Sequence, residues 1–178
     1  MSDNLLIGLA IDFFQNSLDT SPTSAIMRGH KKYFDQIEQL TEDQFEKEKE
    51  IVDRFIKRLN AIEKEQLTDR EKVTYGMLEF ALSSNKDSLL DRSWEFGAGV
   101  SGFTGFLIDY NQQMFIPDSE SADMMLKRLE LYKRLYTQIA EVQKVGLNNN
   151  RVATERNLLR TIDQLENYLA SSLDQDPL

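Results

Sequence analysis

The sequence predicts an all-α fold: a single helical domain over residues 1–178, with about four long antiparallel helices, several short ones and an irregular glycine-rich aromatic segment. Three observations carry that prediction. Apolar residues recur at three- and four-residue steps through most of the chain. Residues of capping type stand just ahead of those periodic stretches. No run of Val, Ile and Thr alternates with polar residues as a half-buried strand does.

The first periodic stretch places Leu5, Leu6, Leu9, Ala10, Phe13 and Phe14 on an amphipathic helix that ends between Ser17 and Thr20, ahead of Ser21-Pro22. A short helix can then run from Pro22 or Thr23 to Arg28. Proline suits its first turn and Gly29 suits a left-handed stop. Residues 30–40 read as irregular, with Tyr33, Phe34, Ile37 and Leu40 as anchors to the core. Thr41-Glu42-Asp43-Gln44 has capping-box spacing and opens a helix whose inner face carries Phe45, Val52, Phe55, Ile56, Leu59 and Ile62. Thr68-Asp69-Arg70-Glu71 is a second box, opening a helix through Val73, Leu78, Ala81, Leu82 and Leu89. Two long helices joined by so short a link pack antiparallel.

Residues 94–117 break the pattern. Gly97, Gly99, Gly102 and Gly105 alternate with Phe96, Phe103, Phe106, Leu107 and Ile108, and charge nearly vanishes. Pro117-Asp118-Ser119 ends the stretch and caps a helix over about 121–145, with Met125, Leu129, Tyr132, Tyr136 and Ile139 on its apolar stripe and Gly146 as its stop. Asn148 to Asn150 make the turn. A last helix, about 151–172, shows Val152, Leu158, Leu159, Ile162, Leu165 and Leu169 on one side.

Composition excludes several functions. A chain of 178 residues buries roughly 70% of its unfolded surface on folding, and 40% hydrophobic with 29% charged residues is a globular balance. The absence of cysteine removes disulfides, thiolate metal sites and cysteine nucleophiles. With His30 as the lone histidine, a two-histidine zinc site within one copy is impossible. A formal net charge of −9 favours solubility and argues against nucleic acid, whose phosphates need clustered Lys and Arg. The apolar start around Leu5 to Ala10 is too short for a bilayer span, and it has neither the basic flank nor the small-residue cleavage site of a signal peptide. The location then depends on the native N-terminus: cytoplasmic if Met1 begins it, exported if a leader has been removed.

Few residues offer chemistry. His30, between Gly29 and Lys31, has the type of a general base or a lone metal ligand, but no partner is set beside it by local spacing; its plainer role is loop packing. The stretch Phe96-Gly97-Ala98-Gly99-Val100-Ser101-Gly102 imitates the start of a phosphate loop. It follows a helix rather than a strand, however, and no Lys-Ser/Thr pair closes it. Gly102-Phe103-Thr104-Gly105 is likewise not a hydrolase elbow. An apolar loop facing a substrate, a partner or the core fits better. The carboxylates Glu46, Glu48, Glu50 and Asp53 are distributed around a helix as a solvated face. Arg128, at the edge of the Met125–Tyr136 stripe, is placed to pair with a carboxylate from another helix.

Three blocks of the chain carry a family resemblance. The first is Trp94-Glu95-Phe96 with Phe115-Ile116-Pro117 and Ala122-Asp123 through Arg128-Leu129. The second is Tyr136-Thr137-Gln138-Ile139-Ala140, reaching Gly146-Leu147. The third is Arg151-Val152 through Asp163-Gln164-Leu165, then Tyr168-Leu169-Ala170 and Asp176-Pro177-Leu178. Together with the helix leading into Ser21-Pro22-Thr23-Ser24-Ala25 and a Gly-His loop, they resemble the N-terminal region of the bacterial domain-of-unknown-function family 885. Members of that family are longer and look like gluzincin-type zinc metallopeptidases. Their His-Glu-x-x-Pro-Gly-His-His helix supplies two metal ligands and a glutamate general base. No residue here matches that motif, so the resemblance implies no catalytic residue, metal ligand or cofactor in this chain, and zinc only in full-length relatives.

The expectation is therefore a non-catalytic helical portion of a metallopeptidase-like protein, contributing one wall of a substrate cleft. Trp94, Phe96, Phe103, Phe106 and Tyr110 are the candidates to face that cleft or a partner, with His30 as a lesser polar candidate. The partner is either the catalytic region absent from this chain or a second copy of it. A stand-alone helical interaction module is the alternative.

Overall fold

The periodic stretches form helices throughout the described part of the chain. The structure is a computed structural model and describes residues 2–96 and 115–172. Six α-helices appear among them: α1 (Ser2–Thr20), α2 (Pro22–Met27), α3 (Glu42–Asn60), α4 (Asp69–Leu90), α5 (Ser119–Asn148) and α6 (Glu155–Ala170). Single 3-10 turns lie at Lys31–Tyr33, Lys64–Gln66 and Ser93–Phe96. No described residue is in a strand, and no helix among them is long and apolar enough to cross a membrane. The chain divides into two units, one of residues 1–20 with 41–93, the other of 21–40 with 94–178.

In the first unit α1, α3 and α4 pack around one apolar core. Leu6 and Leu9 of α1 meet Val52, Phe55 and Leu59 of α3 and Tyr75, Leu78 and Leu82 of α4, all buried. Each such side chain contributes about 1.5–3 kcal/mol on leaving water. Ion pairs give the direction of packing. Glu42 meets Arg92 at 2.7 Å, Asp53 meets Lys86 at 2.8 Å and Lys64 meets Glu79 at 3.5 Å. Rising numbers on one helix thus meet falling numbers on the other, and α3 and α4 run antiparallel as expected.

The two capping sequences behave differently. At Thr68 the box is complete: its hydroxyl accepts from the Glu71 N–H, and the Glu71 carboxylate accepts from the Thr68 N–H at 2.7 Å. At Thr41 only half forms, because the Gln44 side chain turns away to donate to Glu48 at 3.2 Å. Glu48 is half-buried, and that burial pushes its carboxyl above the usual range, with the Gln44 amide opposing the shift. On α4 the inner face is carried by Tyr75, Leu78 and Leu82, whereas Val73, expected inside, is exposed. Val73 lies two residues from Tyr75, about 200° around the helix, so both cannot face one core.

In the second unit, residues 21–40 run alongside α5 in the same direction. Lys31 reaches Asp118 and Glu120 at its start, the Gln36 carbonyl accepts from Arg128, and the Leu40 N–H donates to Gln138 at 3.1 Å. The four expected anchors Tyr33, Phe34, Ile37 and Leu40 are all buried. α2 ends in a Schellman motif: Gly29 takes φ +85°, and the His30 N–H donates to the Ala25 carbonyl at 3.0 Å. α5 is capped by Asp118, whose carboxylate accepts from the Ser121 N–H at 2.8 Å.

The buried line of α5 is Ser121, Met125, Arg128, Leu135 and Ile139. The expected stripe included Leu129 and Tyr136. Leu129 is exposed and Tyr136 half-buried, so the buried face is rotated by about one residue and Arg128 lies at its centre. Gly146 is also not the stop. It sits inside α5, and a Cβ there would lie 2.5 Å from the Glu95 carbonyl oxygen and 2.7 Å from that of Arg151. The stop is Asn150, at φ +55°, with the Arg151 N–H closing onto the Gly146 carbonyl at 2.8 Å. On α6 the expected core residues Leu159, Ile162 and Leu169 are exposed; Thr161 is the buried residue of that helix.

Candidate functional site

Two buried carboxylates set the polar architecture of the second unit. Glu38 closes the N-terminus of α2. That helix begins with Pro22, which has no N–H, and the Ser21 side chain makes no capping bond. The free N–H of Thr23 is instead satisfied across 15 residues: it donates to Glu38 Oε1 at 2.8 Å, while the Thr23 hydroxyl donates to Oε2 at 2.7 Å. Negative charge at a helix N-terminus is favoured by the exposed N–H groups and the helix dipole. Arg128 completes the cluster, donating through Nη2 to Thr23 Oγ1 and through Nη1 to the Gln36 carbonyl, with Nη2 4.0 Å from Glu38 Oε2. Its ring neighbour is Tyr132, 5.9 Å from the guanidinium carbon. Arg128 and Thr23 are wholly buried and Glu38 nearly so. The cluster therefore has no open face for a substrate, and the Thr23 oxygen already serves both as donor and as acceptor. It is a fastening.

The second carboxylate, Glu95, lies at the start of the expected aromatic segment. Its Oε1 accepts from Asn149 Nδ2 at 3.2 Å, and Oε2 is 3.1 Å from Arg151 Nε, an ion pair whose atoms are not aligned as a hydrogen bond. The Arg151 guanidinium also stacks over the Phe96 ring at 4.8 Å. The close approach at Gly146 brings the Glu95 backbone against the end of α5. At the far flank, Lys31 bridges Asp118 at 2.9 Å and Glu120 at 2.7 Å. Hydrogen bonding to Glu120 first, then Asp118, raises the Lys31 ammonium above its usual value. The Lys31 bond, followed by the Ser121 N–H, lowers the Asp118 carboxyl to about 2.

Both flanks of the segment are thus anchored within one unit, and apolar side chains project beside the anchors. Phe96 is exposed, Trp94 half-buried, and Phe115 and Ile116 are exposed on the other side. Phe103, Phe106 and Tyr110 lie outside the described residues. His30 is half-buried, with its ring edge-on to Tyr33 at 6.5 Å. Among the described residues no three of His, Asp and Glu are grouped to hold a metal.

The sequence pointed to Arg128 and to the aromatic segment, but not to Glu38, Glu95, Thr23 or Arg151. Glu38 sits between the anchors Ile37 and Leu40, and nothing local distinguishes it from a solvated acid. Gly146 was the available signal for Glu95, since a glycine inside a helix marks a close backbone approach.

A family model described as "Bacterial protein of unknown function (DUF885)" matches residues 22–178. No curated protein and no solved structure matches the chain.

Proposed function

The chain belongs to the bacterial DUF885 family, of unknown function, and from that premise we propose that it is a non-catalytic helical portion of a metallopeptidase-like protein, lining one wall of the substrate cleft. In this reading residues 1–178 act as one helical domain. Trp94, Phe96, Phe103, Phe106 and Tyr110 face the cleft or the catalytic region, and His30 has a packing role. The zinc and the general base belong to the catalytic region of the longer relatives.

The observation that carries the reading is the anchoring of the aromatic segment at both flanks. Glu95 with Arg151 holds one end and Lys31 with Asp118 and Glu120 holds the other, while Phe96 and Phe115 stand exposed. Exposed aromatic side chains on a fixed base are what a cleft wall or an interface requires. Deleting residues 97–105 tests it. Helix content by circular dichroism is expected to stay within a few per cent of the parent, because the anchors and helices remain. Loss of cooperative thermal unfolding would make the segment part of the core and defeat the reading.

A second reading, a stand-alone helical interaction module, is favoured by the exposed face of α6, where Leu159, Ile162 and Leu169 meet solvent. Light scattering separates the two. A stable dimer that dissociates on Leu169→Glu supports the module, and a monomer supports the cleft wall.

A further inference from the structure

In the first unit α1 and α4 each carry a second apolar stripe, separate from the one buried in the core. On α1 it is Ile7, Ile11 and Phe14, and on α4 it is Val73, Met77 and Phe80, both at i, i+4 and i+7. These six side chains are between 47% and 76% exposed. Apolar residues repeating at helical spacing on the outer side mark a helix that packs on two sides.

The two stripes flank one seam. α1 runs antiparallel to α3, since Asp12 is paired with Arg58 at 2.6 Å and Asp19 lines the same α1–α3 cleft as Ile51. α4 is also antiparallel to α3, so α1 and α4 are parallel. Around α1, at about 100° per residue, the order is Asp12 against α3, Leu9 and Leu6 in the core, half-buried Ala10, then Phe14, Ile7 and Ile11. Around α4 it is Lys86 against α3, Leu82 and Leu78 in the core, half-buried Ala81, then Met77, Val73 and Phe80. The two orders turn in opposite senses, as they must where parallel neighbours share an outer face. The pairings through α3 put the stripes at the same height to within about one turn.

Charge is kept off this face. The charged residues within the two spans, Asp12 and Glu79, turn aside to meet Arg58 of α3 and, at 3.5 Å, Lys64 just beyond it. The chain as a whole carries −9, so two copies repel except where an uncharged face meets its like. Half to three-quarters exposed, six side chains of this size present on the order of 600 Å2 of apolar surface. Two such faces bury about 1,200 Å2 in total, the lower end of the range for specific interfaces.

We propose that this face is the contact between two copies of the chain. The α1–α4 layer of one copy packs on that of the other about a two-fold axis, giving a four-helix bundle. The partner is a second copy because the face has no charge for a charged partner to pair with and enough area for a weak dimer. The inference concerns the first unit alone and rests on neither reading above, since the α6 face takes no part in it.

Sedimentation velocity of the full chain from about 0.5 to about 200 µM tests it. A reversible monomer–dimer equilibrium is expected, with a Kd of about 10 µM, so that the monomer prevails below about 1 µM. Ile11→Glu and Met77→Glu each place a charge in the contact, and each is expected to raise the Kd at least about tenfold. Both positions are exposed, so helix content should not change. Leu169→Glu, on α6, should leave the Kd as it is, which separates this dimer from the one the interaction-module reading expects. A chain still monomeric at the highest concentration, a dimer indifferent to both substitutions, or a dimer broken by Leu169→Glu overturns the proposal. Amide NMR of the parent chain on dilution decides the matter even where a variant fails to fold. Shifts are expected at residues 7–14 and 73–80, and shifts confined to other residues overturn it.

Discussion

Gly76 and Gly146 both lie inside long helices, and opposite outcomes are expected when each is replaced by alanine. Nothing stands within 4 Å of a Cβ at Gly76. Gly76→Ala should therefore stabilise the protein by about 0.5–1 kcal/mol, the helix-propensity difference. At Gly146 the same methyl would press on the carbonyl oxygens of Glu95 and Arg151. Backbone cannot swing aside as a flexible side chain does, so Gly146→Ala should cost about 1–3 kcal/mol. Thermal or urea unfolding of the two variants checks the pair. The Glu38 cluster gives a second expectation. Removing one member leaves a buried charge behind, so Glu38→Ala or Arg128→Met should each cost about 3–5 kcal/mol. The Glu38→Ala/Arg128→Met double variant should lose clearly less than the two single losses added together, because the second change removes the stranded charge. Strict additivity in a double-mutant cycle would show that the two residues do not act as one unit.

Among the elements, α5 depends on its first turn, where Asp118 is both cap and ion-pair partner of Lys31. Its folded-state carboxyl lies near 2, below the ordinary 3.8. Its contribution is therefore fully present above pH 3.8 and is lost as the pH falls from there towards 2. Lys31, raised above 10.5, acts in the opposite sense: its contribution is full below pH 10.5 and is lost as the pH rises past that value. Asp118→Asn keeps a good cap and removes the charge. The stability difference between parent and variant is expected to shrink between pH 3.8 and 2, measured as thermal midpoints. A constant gap over that range would remove Asp118 from the acid response.

The same elements show what the sequence could reveal. Caps and helix ends were legible at Thr68, Asp118 and Gly29, because each depends on a few neighbouring residues. The inner face of α3 was legible too, since its apolar residues repeat cleanly and its other positions are charged. The rotation of α5 was not. Leu129 and Tyr136 look as apolar as the residues that are buried, and what draws Arg128 inward is a carboxylate, a carbonyl and a hydroxyl far away in sequence. α6 misled for a related reason: periodicity identifies an apolar face but does not supply the surface that covers it. Val73, Gly146 and the exposed Leu159 all record tertiary packing that local pattern does not contain.

At the scale of the whole molecule, the six described helices form two units, each with its own means of cohesion. The unit of α1, α3 and α4 relies on apolar burial with ion pairs along its outer edges. The unit of residues 21–40 and 94–178 uses buried charge, with Glu38 and Glu95 each tied to an arginine. Buried ion pairs add little net stability, whereas removing one partner of such a pair is costly. We propose that these helices are a scaffold without a catalytic centre of their own.

Peptide hydrolysis by the purified monomer in the presence of zinc, with and without a chelator, tests that claim most directly. The expected result is no cleavage above background in either condition, and no stoichiometric zinc binding by calorimetry. Chelator-sensitive cleavage that survives further purification and is abolished by His30→Ala would place a working metal centre in this chain and contradict the account.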